Sequence, residues 1–184
     1  MAVVKLEGGT KAIASPAEVR EYLDAIGIEY DQWSHDQQLP EDASQDEILG
    51  AYSGPIEKLK ERGGYTTADV IVMNPRTPGL DEMLAKFNKE HWHDEDEIRF
   101  TISGHGIFHI HPREGPVVTV EVSGGDLIRI PRMTRHWFNL CEDRQIKAIR
   151  LFQNKSGWTP YYTGSGVDGN FQPVCMGPTY FTPH

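Results

Sequence analysis

Glu90-His91-Trp92-His93-Asp94-Glu95-Asp96-Glu97 puts two imidazoles and several carboxylates in one short stretch. On an extended chain, residues i and i+2 point to the same face, so His91 and His93 can aim at one point. Imidazole nitrogens there could meet a single ion at about 2.0–2.1 Å. Glu97 shares their parity if the chain returns through a tight turn at Asp94–Asp96. Two neutral nitrogens and a carboxylate suit a divalent transition metal with positions left open. The plain alternative is a solvated acidic turn that happens to carry two histidines. Arg99, two residues beyond Glu97, falls on the same side of its strand and could supply positive charge to a bound anion. Arg150 lies on one face with Ile146, Ala148 and Phe152, where an arginine is costly unless paired. A salt bridge to a nearby carboxylate would serve it as well as a substrate would. Asp96, next to Glu97, could orient an imidazole from behind or sit in an exposed turn.

These side chains need a scaffold, and two textures offer one. Before residue 90 the chain reads as helix-rich. Ser15-Pro16 supplies an N-cap and a proline at the first helical position, and Val19, Leu23 and Ile26 carry an apolar stripe to Gly27. Ile28–Trp33 reads as extended, and 34–44 as a polar loop. Asp46–Arg62 has helical periodicity, with a break expected at Ser53-Gly54-Pro55. Thr67–Met73 reads as a buried strand, and Asp81–Asn88 as a short helix. Beyond residue 90 short alternating runs dominate: Ile98–Ser103, Gly106–His111, Val117–Val122, Leu127–Pro131, His136–Leu140, Ile146–Phe152 and Trp158–Thr163. That spacing predicts an antiparallel sandwich or barrel. The reading is one mainly β domain over 1–184: helical and extended N-terminal additions at 1–64, a barrel with the metal site at 65–163 and a tail at 164–184.

Composition excludes several classes. The 184 residues carry a formal net charge of −9, which disfavours nucleic acid and anionic membranes. No run approaches the roughly 20 apolar residues of a membrane span. The first residues lack the apolar core of a signal peptide, so a cytoplasmic location is expected. Cys141 and Cys175 form no CxxC and read as two reduced thiols. Cys141 has no matched His–Asp arrangement, so nucleophilic catalysis finds no support.

The pattern His91-x-His93-x₃-Glu97-x₆-Gly104, followed by Gly125-x₅-Pro131-x₄-His136, resembles the two cupin motifs. That resemblance implies a cupin-type jelly-roll β-barrel, with His136 as the fourth ligand. Met133 stands where the general pattern has glycine, and Asn139 falls three residues after His136, not four. A narrower likeness covers nearly the whole chain. Glu90–His93, Asp96–Phe100, Arg135–Phe138, Ala148–Phe152 and Gly157-Trp158 are similar to the acireductone dioxygenase family, as are Gly27–Tyr30, Trp33, Gly63–Tyr65, Asp69-Val70 and Lys86-Phe87.

The family likeness implies a methionine-salvage enzyme. Its substrates would be the enediol 1,2-dihydroxy-3-keto-5-methylthiopentene and O₂. One Fe²⁺ per chain would give formate and 4-methylthio-2-oxobutanoate; one Ni²⁺ would give 3-methylthiopropanoate, formate and carbon monoxide. Three histidines and one glutamate would leave two cis positions for an enediolate. Arg99 and Arg150 would meet its charge, and Phe87, Phe138 and Trp158 would line an apolar wall. A monomer is expected. Another cupin dioxygenase, an isomerase, or a ligand-binding cupin with a structural metal would share the fold. His105, His109 and His111 form a rival cluster without a matched carboxylate, and His35 and His184 receive no role.

Overall fold

The computed structural model describes residues 1–6, 11–35, 37–154 and 158–175. His184, Gly157 and the end of the tail lie outside them. The elements in chain order are strands β1 (Val3–Leu6) and β2 (Lys11–Ile13), helix α1 (Pro16–Ala25), β3 (Glu29–Gln32), α2 (Gln45–Ala51), α3 (Ser53–Gly63), β4 (Thr67–Met73) and α4 (Leu80–Ala85). The β-rich part follows: β5 (His91–Trp92), β6 (Glu97–His111), β7 (Val118–Ser123), β8 (Asp126–Ile130), β9 (Arg135–Leu140), β10 (Ile146–Phe152) and β11 (Tyr161–Tyr162).

The longest strand organises the rest. The first half of β6 pairs with β8 and β10, and its second half with β7 and β9. Two antiparallel layers therefore share one strand, and the sheet does not close on itself. The sequence predicts two strands here, split at Gly104-His105. The chain instead turns the corner within one strand. Gly104 allows this: its φ is +77°, and a Cβ there would collide with the Gln145 carbonyl.

Other boundaries also differ from expectation. The helical break falls at Tyr52, where Ser53-Gly54-Pro55 opens α3. Ser44 and Glu47 close a reciprocal capping box at the start of α2. Among the described residues Thr67–Met73 pairs as a strand only with β10, at the sheet edge, so most of it is half-buried and Val72 is exposed. Only Tyr161–Tyr162 of the expected 158–163 strand pairs, against β5. The N-terminal region is less helical than its texture suggests. β1 pairs with β7 and β3 with β8, so both extend the layers.

Two apolar cores result. Phe108, Ile110, Val120, Ile128, Phe138 and Ala148 fill the space between the layers, joined by Val19 and Leu23 of α1. Ile98, Phe100, Ile149 and Leu151 point the other way and pack under Ile48, Tyr52, Ile56 and Leu59 of α2 and α3. This alternation along β6 and β10 leaves Glu97, Arg99 and Arg150 facing inward.

The cysteines correct the expectation of free thiols: Cys141 and Cys175 form a disulfide. Tertiary contacts bring the tail back. Phe171 lies edge-on to His109 and Trp137, and Lys5 Nζ donates to the Val174 carbonyl. A separation of 34 residues carries no sequence signal for that return.

Candidate metal centre

His91 sits on β5, directly opposite His136 on β9. His93 follows as the chain leaves β5, and Glu97 opens β6. The intervening turn is pinned because the buried Glu95 carboxylate accepts from the Gln153 and Asn154 backbone and from the Asn154 side chain. The ring centroids of His91, His93 and His136 lie 4.7–5.2 Å apart, and all three are buried. Their ligand atoms lie within 4.8 Å of one another.

Each ring is held from behind by a main-chain oxygen. His91 Nδ1 meets the Lys89 carbonyl at 2.6 Å, His93 Nδ1 the Thr159 carbonyl at 2.8 Å and His136 Nδ1 the Thr134 carbonyl at 2.8 Å. A carbonyl can only accept, so each Nδ1 carries the proton and each neutral Nε2 presents a lone pair inward. Nε2 of His91 and of His93 are buried without a hydrogen-bond partner. Burial pushes the His91 pKa down to about 3, with His136 adding to the effect, so His91 stays neutral.

Glu97 completes the set. Its Oε2 lies 3.1 Å from His136 Nε2 and 3.3 Å from His93 Nε2, and its Oε1 accepts from Arg99 Nη2 at 2.9 Å. Burial opposes its ionisation, but the adjacent Arg99 guanidinium outweighs that and holds the carboxyl well below its usual range. A carboxylate oxygen facing two nitrogen lone pairs is stable only with a proton or a cation between them. A proton could serve one such contact, but it leaves the inward lone pair of His91 unserved. A cation among the three imidazole nitrogens, with the Glu97 carboxylate beside two of them, would serve His91 as well, so this donor set fits a divalent transition metal.

The other expected residues fall around this cradle. Arg99 is buried, with its guanidinium 4.3 Å from the Phe138 ring centre and 6.0 Å from that of Trp158. Arg150 lies opposite Arg99 in the strand register and forms a two-pronged pair with Asp69, at 2.9 and 2.6 Å. Its guanidinium is also 5.5 Å from the Trp158 ring centre. Phe87 meets His91 edge-on at 6.0 Å. Trp158 lies 6.1 Å from the His93 ring and donates Nε1–H to the Asp96 carbonyl. The Asp96 carboxylate accepts from Arg129, Tyr65 Oη and the Arg132 N–H. Its bonds hold the 131–135 loop, and the imidazoles are oriented by the three carbonyls instead.

Sequence reasoning misses those carbonyls, because a main-chain oxygen leaves no trace in residue type. It also passes over Glu90. That buried carboxylate accepts from Thr163 and Ser165 and contacts His111 Nδ1 at 2.6 Å, which ties residues 163–165 beside His91. Met133 explains the departure from the general glycine: its φ is +68°, the left-handed region that glycine enters freely. Its N–H donates to the His93 carbonyl.

The model of the ARD/ARD' family matches residues 7–160. The chain belongs to this family. An acireductone dioxygenase of Sulfurihydrogenibium sp. (strain YO3AOP1) is 42% identical over 161 residues, spanning 83% of this chain and 89% of that relative. An acireductone dioxygenase of Aquifex aeolicus (strain VF5) is 39% identical over 161 residues, spanning 88% of this chain and 87% of that relative. Among solved structures, "Acireductone dioxygenase from Bacillus anthracis with cadmium ion in active center" is 39% identical with a TM-score of 0.83, covering 88% of this chain and 98% of that one. Membership makes the chain an oxidoreductase of the dioxygenase type, on a mainly β cupin fold. Among the described residues, no helix is long and apolar enough to cross a membrane.

Proposed function

We propose that the chain oxidises the enediol 1,2-dihydroxy-3-keto-5-methylthiopentene with O₂ in methionine salvage. Its cofactor would be one Fe²⁺ or Ni²⁺ held by His91, His93, Glu97 and His136. The Fe²⁺ form would release formate and 4-methylthio-2-oxobutanoate, and the Ni²⁺ form 3-methylthiopropanoate, formate and carbon monoxide. The observation that carries this reading is the convergence of inward imidazole nitrogens on a buried, ionised Glu97. When bound, the ion supplies a Lewis acid and a template for a chelating enediolate.

The chain's own residues do the rest. Arg99 holds a positive charge beside Glu97 in a buried site, where electrostatic attraction is strong. Arg150 is neutralised by Asp69, so it contributes less charge and more shape. Phe138 and Trp158 confine the Arg99 guanidinium, and with Phe87 they offer an apolar wall to a methylthioalkyl tail. The Nδ1 bonds fix each ring before substrate arrives, which removes reorganisation from the reaction. The chain would work as a cytoplasmic monomer.

The test is to prepare apoprotein, load it separately with Fe²⁺ and Ni²⁺, and supply the enediol and O₂. The expected products are the two sets above; inert protein under both loadings refutes the reading. Arg99→Met is expected to keep metal content while kcat/KM falls about 10–100-fold, checked by steady-state kinetics beside metal analysis.

A further inference from the structure

A groove of about 480 Å³ opens between the end of α1, the β6–β7 turn and the β8–β9 loop. Arg113, Arg132 and Arg135 line it, with His111, against a single acid, Glu114. None of His91, His93, Glu97 and His136 lines it; Thr134, whose carbonyl holds the His136 ring from behind, does. Elsewhere on this acidic protein most guanidinium groups are paired with a carboxylate. Arg20, Arg62, Arg99, Arg129, Arg144 and Arg150 each reach an aspartate or glutamate. Among the described residues, the guanidinium groups of Arg113, Arg132 and Arg135 meet no carboxylate. Of the arginines left unpaired among them, only Arg76 lies outside the groove.

A chain with net charge −9 has carboxylates to spare. Gathering its unpaired arginines around one concavity therefore creates a local positive field in a negative surround. Like charges held together are costly, and a bound anion relieves that cost. The guanidinium fork matches phosphate and carboxylate oxygens two at a time. The volume falls in the range of small-molecule sites, and the overall negative charge disfavours a nucleic-acid strand. We propose that this groove binds a small, multiply charged oxyanion, a phosphate ester or a dicarboxylate, apart from the metal cradle.

Calorimetric titration of the metal-loaded full chain tests this, in chloride buffer with inorganic phosphate, glycerol 3-phosphate and succinate in separate runs. The expected result is saturable 1:1 binding of at least one, weakened tenfold or more in the Arg113→Gln/Arg135→Gln double variant and unchanged in Arg76→Gln. Tighter binding of the phosphates assigns a phosphate ester, and tighter binding of succinate a dicarboxylate. Should the double variant fail to fold, Arg113→Gln alone gives the reading, because that side chain is exposed. The proposal is overturned by any of three results: no saturable binding of the three anions, equal affinity in the groove variant, or an equal loss in Arg76→Gln.

Discussion

Two His-x-His pairs lie in the same sheet layer, and only one builds a cradle. His91 and His93 meet His136 and Glu97 from other strands, and carbonyls behind each ring turn the lone pairs inward. His109 and His111 have the same spacing on β6, yet their rings diverge in use. His109 stacks flat on Trp137 at 4.8 Å beneath Phe171, with Nδ1 unpartnered, while His111 binds Glu90. Spacing sets the face of a strand. A site needs convergence from several strands and a partner that fixes each ring.

The largest effect should come from breaking the first pair. His93→Ala removes an inward nitrogen, and metal content and turnover are expected to fall more than about 100-fold, measured by atomic emission and product assay. His109→Ala should leave metal content unchanged; equal metal loss in both would erase the distinction between the pairs.

Next comes the strap over His109. Cys175→Ser removes the disulfide to Cys141 and should cost about 2–4 kcal/mol, read from urea unfolding. Wild type under dithiothreitol should lose a similar amount. An unchanged midpoint would mean that Phe171 and Lys5 hold the tail without it.

The pH dependence separates the two regions further. Burial lowers the His109 pKa from 6.5 to about 4, helped by nearby Lys5. Between those values the unfolded chain binds more protons than the folded one, so stability falls as pH drops from about 6.5 towards 4. His109→Phe should flatten that slope by about 1–2 kcal/mol between pH 6.5 and 5, compared with wild type by denaturant titration.

The smallest effect is expected at the loop behind His93. Met133→Gly relieves a left-handed backbone but frees the unfolded chain, so a gain of up to about 1 kcal/mol is expected. Metal content should not change. A loss of metal would show that the strained turn itself helps to position His93.

Much of the cradle was legible because local geometry wrote it. Strand parity placed Glu97 and Arg99 on one face, and the acidic turn returned the chain as expected. The likeness to cupin motifs brought in His136, which parity alone could not reach across the intervening strands. The paired Arg150 could equally be read as a salt bridge, and Asp69 is the partner that sequence left unnamed. Asp96 looked like a partner for an imidazole of the cradle and instead anchors Arg129 and the 131–135 loop.

What the sequence determined by itself was residue chemistry and periodicity: which side chains can ligate, which alternate inward, and where proline and glycine stop a helix. Those follow from bonds and sterics within a few residues. Only the tertiary structure decided that β6 turns a corner as one strand and that β1 and β3 extend the layers. It alone supplied the carbonyls of Lys89, Thr134 and Thr159 that aim the imidazoles, and it brought Cys175 to Cys141. Each of these depends on the packing of segments far apart in sequence, and residue spacing along the chain does not encode the distance between them.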